Sequence, residues 1–315
     1  MFIFMWAKRL YFQSTSTSFI GGCMKYGIWT DFYGDLDLVT ALSRLSSHGF
    51  KYVEYSFEHI LAVEREGFEY AFKNIVEAAA SLGVVALQMH GPSLEWTETY
   101  SIVCRDETIR RLCVERTCRW IEYCYRLNVP VFIEHPGSMP AKTLDELKML
   151  EKLNIESFKR IAKFAEDRSV KLAIENIFDF KPEKLKGVRF LKYPASYGST
   201  IDEIRRICEA TDPDVVGICF DTGHANYQGL DVAKAVIECG GLLRAVHIHD
   251  NDGSGDQHLS PLRGSIDWKS VIDGFKSIGY NGLLSLEVFG EKHQSIAVRD
   301  NRLKSLLIVM ENLLR

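Results

Sequence analysis

One unit recurs through almost the whole chain and limits what it can fold into. After Met24, a short apolar, β-branched or aromatic segment ends in a polar residue and gives way to an amphipathic stretch, eight times over. The segments that read as strands are Lys25–Thr30, Tyr52–Ser56, Val84–Met89, Val129–Glu134, Val170–Ile174, Val215–Phe220, Leu243–His249 and Leu283–Leu286. The helical stretches between and after them are Leu36–Ser47, Glu66–Leu82, Asp106–Leu127, Leu144–Asp167 (with a break expected near Asn154), Ile201–Ala210, Val232–Glu238, Trp268–Ile278 and Ile296–Leu314. Runs such as VVGICF have no polar alternation, which suits strands buried on both faces of a parallel sheet. Eight such strands alternating with helices over about 290 residues fit a closed (β/α)8 barrel in a single domain. An open doubly wound sheet is the alternative, but no GxGxxG follows the first strand, and no linker divides the chain.

In a closed parallel barrel the C-terminal ends of the strands meet at one mouth, where α/β folds build their sites. Strands three to eight each end in a histidine or a carboxylate. These are His90, His135, Glu175, Asp221 with His224, His247 with His249, and Glu287, while Asp256-x-His258 sits on a glycine-rich loop after strand seven. Taken singly, each has an ordinary explanation; Asp221 or Thr222 reads equally as the cap of the next helix. Collectively, clustered carboxylates and imidazoles need a partner such as a metal, and the donor types suit zinc, manganese or cobalt.

Composition sets the outer bounds. The net charge is −4, which disfavours a nucleic-acid partner. The eight cysteines have no CxxC spacing and read as reduced thiols of a cytoplasmic protein. No apolar run has the length of a membrane span. At the start of the chain Lys8-Arg9 follows the apolar run, the reverse of a secretory signal. Residues 1–23 are therefore expected to be a disordered leader or upstream extension, and residues 24–315 the catalytic barrel. The basic stretch Phe178–Ser199 leaves strand five beside Glu175; its Lys184, Lys186 and Arg189 suit recognition of a phosphate or carboxylate, or simply a solvated loop. Trp29, Phe57, Trp96 and Trp268 lie near strand ends, where an aromatic ring can stack on a sugar or pack the rim.

From Met24 to Leu314 the chain resembles the xylose isomerase-like TIM-barrel superfamily, which holds sugar isomerases and epimerases as well as endonuclease IV-type (apurinic/apyrimidinic) repair enzymes. The resemblance is carried by His135-Pro136-Gly137-Ser138, Asp221-Thr222-Gly223-His224 and HIHDNDGSGDQHLSPLRGSIDW. Similarity to the repair enzymes implies a trinuclear site: His90 and His135 on one ion, Glu175 bridging to a second with Asp221, His247 and Glu287, and His224, Asp256 and His258 on a third. Similarity to the isomerase branch implies one ion on Glu175, Asp221, His247 and Glu287, with Glu175 and Glu287 as the catalytic proton-transfer pair. His90, His224 and His249 are then left to bind substrate. Repair enzymes carry cysteine where Gly223 stands and asparagine where His249 stands, and no DNA-penetrating loop is evident. Asn176-Ile177 follows Glu175, where xylose isomerases proper carry the lysine of a hydride shift. The resemblance therefore implies a divalent-metal-dependent isomerase or epimerase with one to three ions. The expected partner is a small-molecule sugar or sugar phosphate, with no membrane partner; a homo-oligomer is compatible with this reading. The alternative is a zinc-dependent phosphodiester hydrolase.

Overall fold

Eight strands, all parallel and each hydrogen-bonded to its sequence neighbours, close into a barrel when the last pairs with the first. This is a computed structural model, and it describes residues 24–92, 101–179 and 196–315. The elements are β1 (Lys25–Trp29), α1 (Leu38–Ser47), β2 (Tyr52–Tyr55), α2 (Phe57–Glu66), α3 (Phe68–Leu82), β3 (Val85–His90), α4 (Glu107–Arg126), β4 (Val131–Glu134), α5 (Leu144–Glu166), β5 (Lys171–Glu175), α6 (Ile201–Ala210), β6 (Val216–Asp221), α7 (Thr222–Gln228), α8 (Val232–Cys239), β7 (Leu243–Ile248), α9 (Trp268–Ser277), β8 (Leu283–Leu286) and α10 (Ile296–Leu313). The expected leader and the basic residues Lys184, Lys186 and Arg189 lie outside the described residues, as does Trp96. Among the described residues, no helix is long and apolar enough to cross a membrane, and no disulfide joins the cysteines.

Two apolar layers build the barrel. Outward strand residues and the inner helix faces form one large core. Inside the barrel, Ile133, Ala173, Cys219 and Ala245 make a small separate cluster, one residue from each of β4 to β7. These residues point into the barrel, and their parity decides which later residues face the mouth.

Three local features differ from the sequence reading, each for an identifiable reason. The helical stretch after β2 begins at Phe57 rather than Glu66 and is divided by Gly67, whose φ of 104° breaks the helix between α2 and α3. Glu58 and His59 therefore belong to the first turn of a helix, not to a loop. By contrast, α5 runs unbroken through Asn154. That side chain is fully buried and turned outward from its helix: its Oδ1 accepts from Gly137 N (2.8 Å), and its Nδ2 donates to Gly137 O (2.8 Å) and Leu150 O (2.9 Å). Asn154 thus fixes the segment that follows His135. Finally, β6 passes into α7 with no intervening turn, and Asp221 caps that helix by accepting from His224 N at 2.6 Å.

His59 is almost wholly buried, with Nε2 at 3.0 Å from Leu36 O and Nδ1 at 3.0 Å from the Thr30 hydroxyl. Because a carbonyl only accepts, Nε2 carries the proton and Nδ1 receives one from the hydroxyl, so the neutral ring is fully satisfied. Burial pushes its pKa down from 6.5 to about 4. The unfolded chain takes up this proton near pH 6.5 and the folded chain only near 4. Stability should therefore fall as pH drops through that window, by up to about 3 kcal/mol from this group. Urea midpoints between pH 7 and 4.5 should decline less steeply for His59→Gln than for the parent; parallel slopes would mean that His59 accepts the proton in place.

Candidate metal centre and active-site cavity

Strand parity assembles the site. The interior residues Ile133, Ala173, Cys219 and Ala245 are each followed, two positions on, by His135, Glu175, Asp221 and His247. A period of two keeps both on the same face of the strand. His90 on β3 and Glu287, just beyond β8, complete the ring. The deepest carboxylate is Glu175, 1% exposed and surrounded by imidazoles. Its Oε2 lies 3.2 Å from both His90 Nε2 and His135 Nε2, and its Oε1 lies 3.2 Å from His247 Nδ1 and 3.4 Å from His224 Nδ1. His247 Nδ1 also approaches Glu287 Oε2 (3.1 Å) and Asp221 Oδ2 (3.7 Å).

Outer contacts choose which nitrogen of each ring faces inward. Nδ1 of His90 meets Gly91 O (2.9 Å), that of His224 meets Asn176 O (2.8 Å) and that of His258 meets Glu287 O (2.7 Å). A carbonyl can only accept, so these Nδ1 atoms are protonated and Nε2 is the nitrogen left to face the site. For His247 the order is reversed: Nε2 sits 3.0 Å from Glu54 Oε1, which leaves Nδ1 facing the carboxylates. Glu54 is fully buried on β2 and is itself held by Gln88 Nε2 at 2.9 Å. Such carboxylate or carbonyl backing of imidazoles is the usual support of metal-ligating histidines.

A second cluster lies beside the first. Asp256 Oδ2 is 3.1 Å from His258 Nε2 and 3.6 Å from His224 Nε2, so the loop pair and the α7 histidine meet as the sequence suggested. His249 joins them: its Nε2 is 3.0 Å from Asp221 Oδ2 and 3.8 Å from Asp256 Oδ1, and its ring stacks on His258 with centroids 4.1 Å apart. All nine residues that the resemblance implied as ligands therefore lie in one connected cluster, and His249, a tenth, joins it.

Electrostatics bind the groups together. Burial is the largest single influence and favours the neutral forms, but the surrounding imidazoles together outweigh it: His247 and His135 hold Glu175 well below the usual carboxylate range, and His247 and His258 hold Glu287 at about 2. Reciprocally, His90 and His258 are raised to about 9 against the pull of burial, by Glu175 and by Asp256 respectively. The Cys219 thiol, one layer below, is pushed well up by burial and stays protonated.

These residues fit a divalent cation. One donor atom each from Glu175, Asp221, His247 and Glu287 lies within 4.8 Å of all the others, and bonds of about 2.1 Å in tetrahedral array give ligand–ligand edges of roughly 3.4 Å. His247 Nδ1, Glu287 Oε2 and Asp256 Oδ1 are buried yet make no aligned hydrogen bond. Buried polar atoms so disposed are costly unless a cation serves them. His90, His135 and Glu175 form a further three-residue donor set. Above the centre opens a cavity of about 200 Å3, lined among others by Trp29, Phe57, Glu58, Phe178, Asp256 and Glu287. Trp29 and Phe57 are thus on its wall as the sequence allowed. Trp268 is not: it is buried and donates to Asp250 Oδ2 at 2.8 Å, a packing role.

A family profile described as "Xylose isomerase-like TIM barrel" matches residues 42–307. The chain belongs to this family. Among solved structures, a D-tagatose 3-epimerase-like protein is 25% identical, with a TM-score of 0.72 covering 93% of this chain and 100% of that one. An inosose isomerase of Bacillus velezensis is 23% identical over 62% of this chain and 66% of its own length. A probable endonuclease 4 of Methanosphaerula palustris is 26% identical over 81% of this chain and 85% of its own.

Within this xylose isomerase-like barrel the two departures from the repair-enzyme pattern are one physical event. A Cβ added at Gly223 would stand 1.9 Å from Cε1 of His249, so the ring occupies the space a side chain at 223 would need. Histidine at 249 requires glycine at 223. Sequence reasoning missed other supports. Glu54 was legible as an acidic residue inside the apolar run YVEYS, where strand burial forbids an idle charge. Asn176 was noted only for not being lysine; its side chain clamps the Asp221 backbone, accepting from its N at 2.8 Å and donating to its O at 3.1 Å.

Gly223→Ala should destabilise the protein by about 1–3 kcal/mol through overpacking, and His249→Asn in the same chain should restore most of the loss; thermal unfolding of the two single variants and the double variant reads this directly. Glu54→Gln should weaken divalent-metal binding roughly 10–100-fold by removing the carboxylate charge behind His247 and setting an amide N–H against the Gln88 amide. Calorimetric titration of the metal-free protein measures it, and unchanged affinity would remove His247 Nδ1 from the ligand set.

Proposed function

We propose that the protein is a divalent-metal-dependent isomerase or epimerase acting on a sugar or sugar phosphate. The observation that carries this reading is the placement of Glu175 and Glu287, whose carboxylate oxygens lie 3.2 and 3.1 Å from the same His247 nitrogen at the base of the cavity. Its similarity to a D-tagatose 3-epimerase-like protein and to an inosose isomerase supports it. Glu175, Asp221, His247 and Glu287 would hold the ion, with zinc, manganese and cobalt all compatible with the N and O donors. When bound, a divalent cation supplies Lewis acidity to a carbonyl and the hydroxyl next to it, which acidifies the intervening C–H.

The chain's own groups perform the proton transfers. One glutamate of the pair removes the proton from the carbon beside the carbonyl. The other returns a proton to the opposite face, giving an epimer, or to the adjacent carbon, giving an isomer. His224 and His90 line the cavity and orient hydroxyls, each with its ring fixed by a backbone carbonyl. His249 acts from one layer further in, through Asp221 and Asp256. Trp29, Phe57 and Phe178 exclude water from the reacting carbon and offer apolar faces to the C–H side of a sugar.

A second reading, metal-assisted phosphodiester hydrolysis, is favoured by one specific observation: His90, His135, His224, Asp256 and His258 all converge beside the central four, as a three-ion site would need. The net charge of −4 and the Gly223–His249 pair weigh against it.

Turnover in heavy water separates the two. Sugar product should carry deuterium at the carbon next to the carbonyl, and Glu175→Gln and Glu287→Gln should each lower kcat by at least about 100-fold. Turnover with no solvent deuterium would eliminate proton transfer. Cleavage of an abasic-site duplex by the metal-loaded protein, without sugar turnover, would establish the hydrolase instead.

A further inference from the structure

Among the described residues, Glu58 is the one acid on the cavity wall that neither the ligand set nor the proton-transfer pair uses. It stands in the first turn of α2, beside Phe57, on the wall that also carries Trp29 and His90. Its Oε2 is buried and makes no hydrogen bond, while the side chain as a whole is only partly buried and lines the cavity. The nearby cation is already engaged: Lys292 Nζ is 3.0 Å from Asp31 Oδ1, and Asp31 is buried. A half-buried acid with one unserved oxygen costs stability, and its place on the cavity wall is where such a cost is kept for contact with a ligand.

The chemistry of the missing partner follows from the surroundings. Trp29 and Phe57 supply apolar surface, and Glu58 supplies a hydrogen-bonding group between them. That combination suits the hydroxylated carbon chain of a sugar, with C–H groups on the rings and an O–H on the acid. A phosphate or carboxylate at the same place would meet the Glu58 and Asp31 carboxyls and would have to compete with Asp31 for Lys292. Burial and the neighbouring Asp31 raise the Glu58 pKa to about 7, against the opposing pull of His90 and Lys292. A hydroxyl can accept from the acid form and donate to the carboxylate form, whereas an anion can only accept from the acid and is repelled by the carboxylate.

We propose that Glu58 is the specificity-determining residue of the cavity, binding a hydroxyl at the uncharged end of an unphosphorylated sugar and discriminating against its phosphate ester. The proposal rests on the isomerase reading and narrows it from sugar or sugar phosphate to the neutral sugar.

The test uses the metal-loaded full chain with D-fructose, D-tagatose and D-ribulose and with their terminal phosphates. Wild type should prefer the neutral sugars by tenfold or more in kcat/KM. Glu58→Ala should raise KM for the preferred neutral sugar about tenfold, the loss of one hydrogen bond to a polar group, while kcat changes less than about threefold. Glu58→Gln, which still donates and accepts, should keep KM within about threefold. Glu58→Ala should also melt at an equal or higher temperature than wild type, because it removes an unsatisfied buried group; a merely structural glutamate would lower it. Preference for the phosphorylated sugars, or an unchanged KM in Glu58→Ala, overturns the assignment and leaves the isomerase reading standing. Absence of turnover with every sugar overturns the isomerase reading itself, and the Glu58 assignment with it.

Discussion

The site depends on a single buried carboxylate. Glu175 lies at the end of β5 with four imidazoles, from His90, His135, His224 and His247, placed within 3.4 Å of its two oxygens. These rings come from β3, from the segment after β4, from α7 and from β7. A charge so deep is tolerable only if its neighbours are held in place, and most of the secondary contacts do that holding. Gly91 and Asn176 carbonyls fix the His90 and His224 rings, Glu54 fixes His247, and Asn154 anchors the loop behind His135, while the Glu287 carbonyl holds His258 in the adjoining cluster. The supporting groups are drawn from β2, β3, β5, β8 and α5, so most of the barrel takes part in positioning one centre.

Asp221 shows how closely fold and site are joined. A helix cap and a metal ligand were competing explanations for this residue in the sequence, and the structure gives its two oxygens different tasks. Oδ1 accepts from His224 N and starts α7, while Oδ2 faces His249 and His247. Capping also sets the position of the His224 ring, since that residue belongs to the turn being capped. The same short segment therefore ends a strand, begins a helix and supplies two donors.

The barrel and most of its mouth were legible because both follow from period. Alternating apolar segments and amphipathic stretches specify eight parallel strands, and the two-residue repeat projects every strand-end His, Asp and Glu to the same side. Non-periodic features were not legible. The helical stretch reads as starting at Glu66, so the helix that begins at Phe57 and the break at Gly67 that divides it from the next were both missed. Asn154 resembled a helix breaker because its partners, the backbone atoms of Gly137, are distant in sequence. The contacts of His249 were not legible either, since only three-dimensional proximity brings it to Asp221 and Asp256. Glu54 went unnoticed because its role is exercised across the barrel, from β2 to β7.

The tight fit of His249 against Gly223 constrains how such a barrel can change its chemistry over evolutionary time. With the imidazole in place, any side chain at 223 is obstructed, while a smaller residue at 249 obstructs nothing. The two substitutions that separate this pocket from the repair-enzyme pattern are therefore coupled by packing: the passage that avoids the clash, in either direction, runs through glycine at 223 and asparagine at 249. That intermediate is underpacked, and the packing of one ring thereby links two positions of the candidate site that lie apart in the sequence.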